Sequence, residues 1–201
     1  MRGVFLDIET TGLDFVDHVP LDIGVVIVDL HNMSCIATYS SLVKCYSIQW
    51  DRADEKALEV NGFNIDNHFG SKESWEVGQE ILSFFLEHDI VRGHAVFICQ
   101  NPSFDRIFFD KLLPQQKMNK FNLPYHWLDL ASMYWIKAID LSKPINGHSL
   151  PKHSSISLSK DTIASMLGIH PEGKPHKAIQ GAQHLFECYR ALINSPFPLK
   201  V

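Results

Sequence analysis

Phe5-Leu6-Asp7-Ile8-Glu9-Thr10-Thr11-Gly12-Leu13 is the stretch on which the fold turns. Val4, Phe5, Leu6 and Ile8 form an apolar run of the kind found in a buried strand. Asp7 and Glu9 interrupt it at a spacing of two. Side chains two apart on a strand leave the same face, so these carboxylates stand roughly 6–7 Å apart at Cα on one side of a buried strand. Two such anions repel and resist ionising together unless a cation lies between them. Hard oxygen ligands of this kind select Mg²⁺ or Mn²⁺. Alone, an Asp-x-Glu is better read as a strand end reaching solvent. The Thr10-Thr11-Gly12-Leu13 turn behind it tips the reading to a metal site.

Around that strand the chain alternates. Strand 1 is predicted over Gly3 to Ile8, strand 2 over Asp22 to Asp29 and strand 3 over Cys35 to Val43. Helices follow over Asp54 to Asn61, closed by Gly62, and over Ser74 to Glu87. Ile90 to Ile98 reads as a strand and Ser103 to Leu113 as a helix. Trp127 to Ile139 reads as a strand end running into a helix. Ser159 to Leu167 is a short helix ended by Gly168, and His176 to Ile193 is the last one. Lys143 to Ser157, rich in Pro, Gly, Ser and His, reads as a long loop. Three strands first, then strands and helices in turn, predict an α/β fold with a mixed sheet and helices on both faces.

The chain of 201 residues suits one α/β domain, 1–201, with a loop insertion at about 143–157. At 45% hydrophobic and 20% charged it has an ordinary globular composition. Net charge is −5 and pI about 6.1, which argues against a protein that grips nucleic acid mainly by neutralising phosphates. Any such contact is expected to be local and helped by metal ions. Cys35, Cys45, Cys99 and Cys188 are scattered, as in reduced thiols rather than a disulfide framework. The start at Met1-Arg2-Gly3-Val4 enters a strand at once, and no apolar run approaches a membrane span of about 20 residues. The expected location is cytoplasmic, with no membrane partner. Eleven histidines are dispersed; the one close cluster, His148 and His153, lacks zinc-ligand spacing and reads as surface.

Two more segments carry acids or bases in pattern. In Gln100-Asn101-Pro102-Ser103-Phe104-Asp105, Asn101 or Ser103 can cap a helix and Asp105 falls in its first turn, where an anion is favoured. His176-Lys177-Ala178-Ile179-Gln180-Gly181-Ala182 opens the last helix. A glycine inside a helix costs about 1 kcal/mol relative to Ala. Close backbone packing, a lost ligand, or a glycine introduced to disable an enzyme would each account for Gly181.

Together the three segments resemble the motifs of the DEDDh 3′–5′ exonuclease superfamily, the branch of the polymerase III proofreading epsilon subunit and ribonuclease T. Softer matches at Asn61-Gly62, Trp127-Leu128-Asp129 and Leu158 to Ile169 follow in that family's order. The resemblance implies a ribonuclease-H-like five-stranded sheet. It implies Asp7, Glu9 and Asp105 as ligands of two divalent metals and His176 as general base; histidine titrates near about 6.5, which suits that role. Thr10, Thr11 and Leu13 would hold the terminal nucleotide, with Asn101 and Phe104 beside the substrate. The substrate would be a single-stranded DNA or RNA 3′ end and the product a nucleoside 5′-monophosphate. The same resemblance implies a DNA polymerase subunit as partner; the sequence ends near Pro196-Phe197-Pro198 without the tail expected of a polymerase-tethered subunit, so the protein either acts alone or has had that tail cut away. Oligomeric state is left open.

The departure is Gly181, which stands where the family places its fourth carboxylate. His184 shares a face with position 181 but is a poorer Mg²⁺ ligand, Glu187 points away, and Glu172 lies in the approach to the helix. A water in the gap with weakened metal binding is expected ahead of any protein substitute. The expectation is an exonuclease of strongly reduced activity, partly rescued by Mn²⁺. The alternative is an inactive exonuclease-fold module that binds nucleic acid or a protein. Retention of Asp7, Glu9, Asp105 and His176 favours the enzyme.

Overall fold

The computed structural model describes residues 1–140 and 156–195. Five strands form one mixed sheet: β1 (Arg2–Thr10), β2 (Pro20–Asp29), β3 (Ser34–Leu42), β4 (Ala95–Cys99) and β5 (Trp127–Asp129), in the order β3-β2-β1-β4-β5. β1 runs antiparallel to β2 and parallel to β4, and β4 is parallel to β5. The helices are α1 (Ser47–Trp50), α2 (Glu55–Asn61), α3 (Ser74–Glu87), α4 (Pro102–Asp110), α5 (Gln115–Lys120), α6 (Leu130–Asp140), α7 (Lys160–Met166) and α8 (Ala178–Asn194). Most of the predicted loop 143–157, with His148 and His153, lies outside the described residues. No helix among the described residues is long and apolar enough to cross a membrane.

β1 is central, and its alternation sorts residues between two cores. Val4, Leu6 and Ile8 face a core shared with Val77, Ile81 and Phe85 of α3 and Phe108 and Phe109 of α4. Phe5 faces the other, with Leu130 of α6, Ile163 of α7 and Leu185 and Phe186 of α8. By the same parity Asp7 and Glu9 leave the sheet on the Phe5 side, toward α8.

Two features bring α8 against the carboxylate strand. Gly24 of β2, in register with Asp7, meets the α8 backbone: a Cβ there would lie 2.2 Å from Ala178 C and 2.3 Å from Ile179 N. Asp22, in register with Glu9, accepts a hydrogen bond from Ala178 N at 3.0 Å and so caps the helix from the neighbouring strand. The helix therefore begins two residues later than predicted. His176 N donates instead to Val60 O at 3.0 Å, which keeps His176 extended before the first turn. Replacing Asp22 by Ala is expected to cost about 1–2 kcal/mol in urea unfolding, the range for a lost N-cap. Asn, which keeps an acceptor, should retain most of that, and equal losses for Ala and Asn would refute the capping role.

Other boundaries shift for local reasons. Ile90 and Val91 are apolar but belong to a turn, because Asp89 and Gly93 take positive φ and Ala95 N returns to Val91 O. The strand is thus Ala95–Cys99 rather than Ile90 to Ile98.

Candidate active site

The C-terminal ends of β1, β4 and β5 lie at one edge of the sheet, and the site is built there. Asn61 of α2, almost fully buried, donates its amide to Thr10 O at 3.0 Å and accepts from Phe63 N at 3.0 Å. It fixes the exit of β1 while Gly62, at φ 68°, turns the chain out of the helix. Asp129 at the end of β5 accepts from Asn101 N and from Ala131 N, each at 3.0 Å, and so joins the start of α4 to the start of α6. Asn101 does not cap α4 with its side chain. It sits at φ 59°, and its Oδ1 accepts from Ser103 Oγ.

Within this frame the structure gathers Asp7, Glu9, Asp105 and His176. Asp105, in the first turn of α4, is buried, and burial holds its carboxyl well above the usual range, helped by the charge of Asp7. Burial likewise raises Asp7, against the opposing pull of Lys160. Glu9 is pushed up to about 8, first by burial and then by Asp7 and Glu172. One oxygen or nitrogen each from Glu9, Glu172 and His176 lie within 4.8 Å of one another.

Two members were not assigned to the site from sequence. Lys160, at the start of α7, brings its Nζ to 3.5 Å from Asp7 Oδ1 and 2.5 Å from Glu172 Oε2. Burial works against its charge, yet Asp7, Glu172 and Glu9 hold the ammonium above its ordinary range. Glu172 lies in the connection between α7 and α8, with its side chain 1% exposed. The space at Gly181 is closed rather than open: a Cβ there would stand 2.1 Å from Asp7 Oδ2 and 3.0 Å from Glu172 Oε1. His184 turns away from the carboxylates and donates Nε2 to His170 O at 2.8 Å, and Glu187 is exposed.

The residues fit a hard divalent cation. Among the described residues, four carboxyls, Asp105 and Glu172 buried and Asp7 and Glu9 half-buried, crowd around the one ammonium of Lys160, and Glu172 Oε1 is buried with no hydrogen-bond donor. Such a donor set could hold a divalent cation through its carboxylate oxygens. A pH dependence follows. Without metal, folded Glu9 holds a proton up to about pH 8 that the unfolded chain releases near pH 4.5, so stability falls as pH rises through that window. The metal-free protein should therefore melt lower at about pH 8.5 than at about pH 5.5, and Mn²⁺ should raise the melting temperature more at the higher pH. A metal-free melting temperature that climbs across the window would contradict this.

Beside Glu9 opens a cleft of about 310 Å³ lined by Ile8, Thr10, Leu13, Val60, Asn61 and Phe104. Thr10, Leu13 and Phe104 thus lie on its wall, and Phe104 also packs on Phe108 with ring centroids 4.9 Å apart. Thr11 does not line it: its hydroxyl is used inside the turn, accepting from Val19 N and meeting His18 Nδ1. Asn101 is exposed and also outside that wall.

Solved structures of similar fold include nucleases. Cell-death related nuclease 4 (CRN-4) superposes with a TM-score of 0.71 at 13% identity, over 96% of this chain and 64% of its own length. The nuclease domain of 3′hExo, a DEDDh family member bound to rAMP, gives 0.69 at 13% identity, over 99% and 94%. The zinc-bound complex of E. coli exonuclease I with single-stranded DNA gives 0.68 at 15% identity, over 95% of this chain and 40% of that protein. At these identities the likeness is one of fold, a ribonuclease-H-like mixed sheet with helices. No protein-family model matches this sequence, and neither does any curated protein sequence.

Proposed function

We propose that the protein is a metal-dependent 3′–5′ exonuclease acting on single-stranded DNA or RNA ends. The observation that carries this reading is the convergence of Asp7, Glu9, Asp105 and His176 at the end of β1, beside a cleft lined by Thr10, Leu13 and Phe104. The fold shared with nucleases, and the rAMP and single-stranded DNA bound by two of them, support it.

In this reading Asp7, Glu9 and Asp105 hold Mg²⁺ or Mn²⁺. When bound, the metal polarises the scissile phosphate and acidifies the attacking water. His176, held by its backbone to Val60 at the edge of the cluster, takes the proton from that water. Leu13 and Phe104 offer apolar faces to the terminal bases, which stack without regard to sequence. Asn61 keeps Thr10 in place by holding its carbonyl, so the cleft wall is set before substrate arrives. The polymerase partner rests on the sequence resemblance alone.

A 5′-labelled single-stranded oligonucleotide tests the proposal. In Mg²⁺ or Mn²⁺ the protein should shorten it one nucleotide at a time from the 3′ end and release nucleoside 5′-monophosphates. Internal cuts or shortening from the 5′ end would refute the assignment. Tight binding of the oligonucleotide with no hydrolysis in either metal would favour the inactive binding module instead.

A further inference from the structure

The helix position that should supply a fourth carboxylate is Gly181, yet a carboxylate is already there. Glu172 Oε1 lies 3.0 Å from where the Gly181 Cβ would stand, and that oxygen has no donor despite its burial. Its other oxygen meets the Lys160 ammonium at 2.5 Å, a charge contact whose angles fall outside those of a hydrogen bond. A buried carboxylate with an unused oxygen is costly unless something is meant to bind it. The same side chain shares the 4.8 Å cluster with Glu9 and His176, and its charge is felt at both Asp7 and Glu9.

Nor is Glu172 free to wander. The 170–176 connection is tied at both ends, by His184 Nε2 donating to His170 O and by His176 N donating to Val60 O. Between those ties, Pro175 packs over Gly62, close enough that a Cβ at Gly62 would lie 2.7 Å from Pro175 Cβ. A side chain at 181 would be driven first into Asp7 Oδ2, 2.1 Å from its Cβ, and then into Glu172. The glycine therefore leaves room for two carboxylates: Asp7 Oδ2 stands nearest the missing Cβ, and Glu172 Oε1, from the preceding connection, lies beside it.

We propose that Glu172 is the fourth carboxylate ligand of the divalent-metal site, delivered from the connection before α8, and that Gly181 is the vacancy that admits it. The proposal rests on the exonuclease reading for the identity of the site. It reverses the consequence first drawn from Gly181: the chain carries a complete set of four acids, and Gly181→Asp is not a repair.

Calorimetric titration of the metal-free protein with Mn²⁺ tests this without reference to activity. Glu172→Gln, nearly isosteric, should weaken Mn²⁺ binding at least about tenfold, the lower end of what losing even an outer partner of a metal site costs. Gly181→Asp alone should not strengthen binding. The double variant Glu172→Gln with Gly181→Asp should bind no better than Glu172→Gln alone, because the glutamine keeps the volume of the glutamate and Asp7 Oδ2 still stands 2.1 Å from the added Cβ; recovery of the lost binding would overturn the proposal. Asp7→Asn is the control that separates the two claims. If Asp7→Asn loses binding and Glu172→Gln does not, the relocated carboxylate is refuted and the exonuclease site stands. If both bind Mn²⁺ like the unaltered chain, or the unaltered chain does not bind it, the metal site itself is refuted. A gain of tenfold or more in Gly181→Asp would show that the helix position is an open ligand slot, which also overturns the proposal. Should Gly181→Asp fail to fold, Glu172→Gln against Asp7→Asn still decides.

Discussion

Asp7→Asn is expected to reduce 3′-end hydrolysis by well over about a hundredfold, beyond the range for losing an outer-shell partner of a metal. Asp7 sits where the influences of the site meet. It touches Lys160, its charge raises Glu9 and Asp105, and its Oδ2 lies against Gly181. Neutralising it should not unfold the protein. The carboxyl is raised above its ordinary range, so burial outweighs the attraction of Lys160, and an uncharged side chain of the same shape relieves that burden. The metal-free variant should thus melt no lower than the unaltered chain, while losing both activity and the stabilisation by Mn²⁺. A variant that hydrolyses normally would remove Asp7 from the site.

Gly24→Ala is expected to be the most damaging small substitution in the sheet. The added methyl would meet main chain, not a movable side-chain end: Ala178 C, Ala178 O and Ile179 N all lie within 2.3 Å of it. Either β2 or the start of α8 has to move. Overpacking of this kind costs about 1–3 kcal/mol, and contact with backbone places it at the upper end. At about 2–4 °C per kcal/mol for a chain of this size, the melting temperature should fall by about 6–12 °C. Mn²⁺ binding should weaken with it, since α8 carries Gly181 and follows directly on His176. Gly173→Ala is the natural control, because a Cβ there meets nothing within 4 Å and should leave both readouts nearly unchanged. Equal effects at the two glycines would mean that the close approach of α8 to β2 is not what holds the site together.

The sequence was most readable where chemistry followed a backbone period. Asp7 and Glu9 could be placed on one face because a strand repeats every two residues, and the apolar face of α3 because a helix repeats every 3.6. Asp105 followed from the helix start after Pro102. The mixed sheet with helices on both faces followed from three leading strands and the later alternation, its five strands from the resemblance, and the order β3-β2-β1-β4-β5 came only with the structure. What escaped had no period to announce it. The helices Ser47–Trp50 and Gln115–Lys120 are too short to show one. Asp22 looked like the opening of a strand, and only the cross-strand register with Glu9 and the approach of Ala178 make it the cap of α8. Lys160 and Glu172 are 12 positions apart in the chain and meet only because α7 and the connection after it fold back over β1. Gly181 was recognisable as an anomaly. Its explanation was not, because a missing side chain is explained by whatever lies against its volume, and Asp7 and Glu172 reach that volume only through tertiary structure.

Anomalous diffraction from crystals equilibrated with Mn²⁺ tests the central claim most directly. A manganese peak is expected at the end of β1, within bonding distance of carboxylate oxygens of Asp7 and Glu172. No peak there at millimolar Mn²⁺, or peaks confined to surface carboxylates elsewhere, would contradict it.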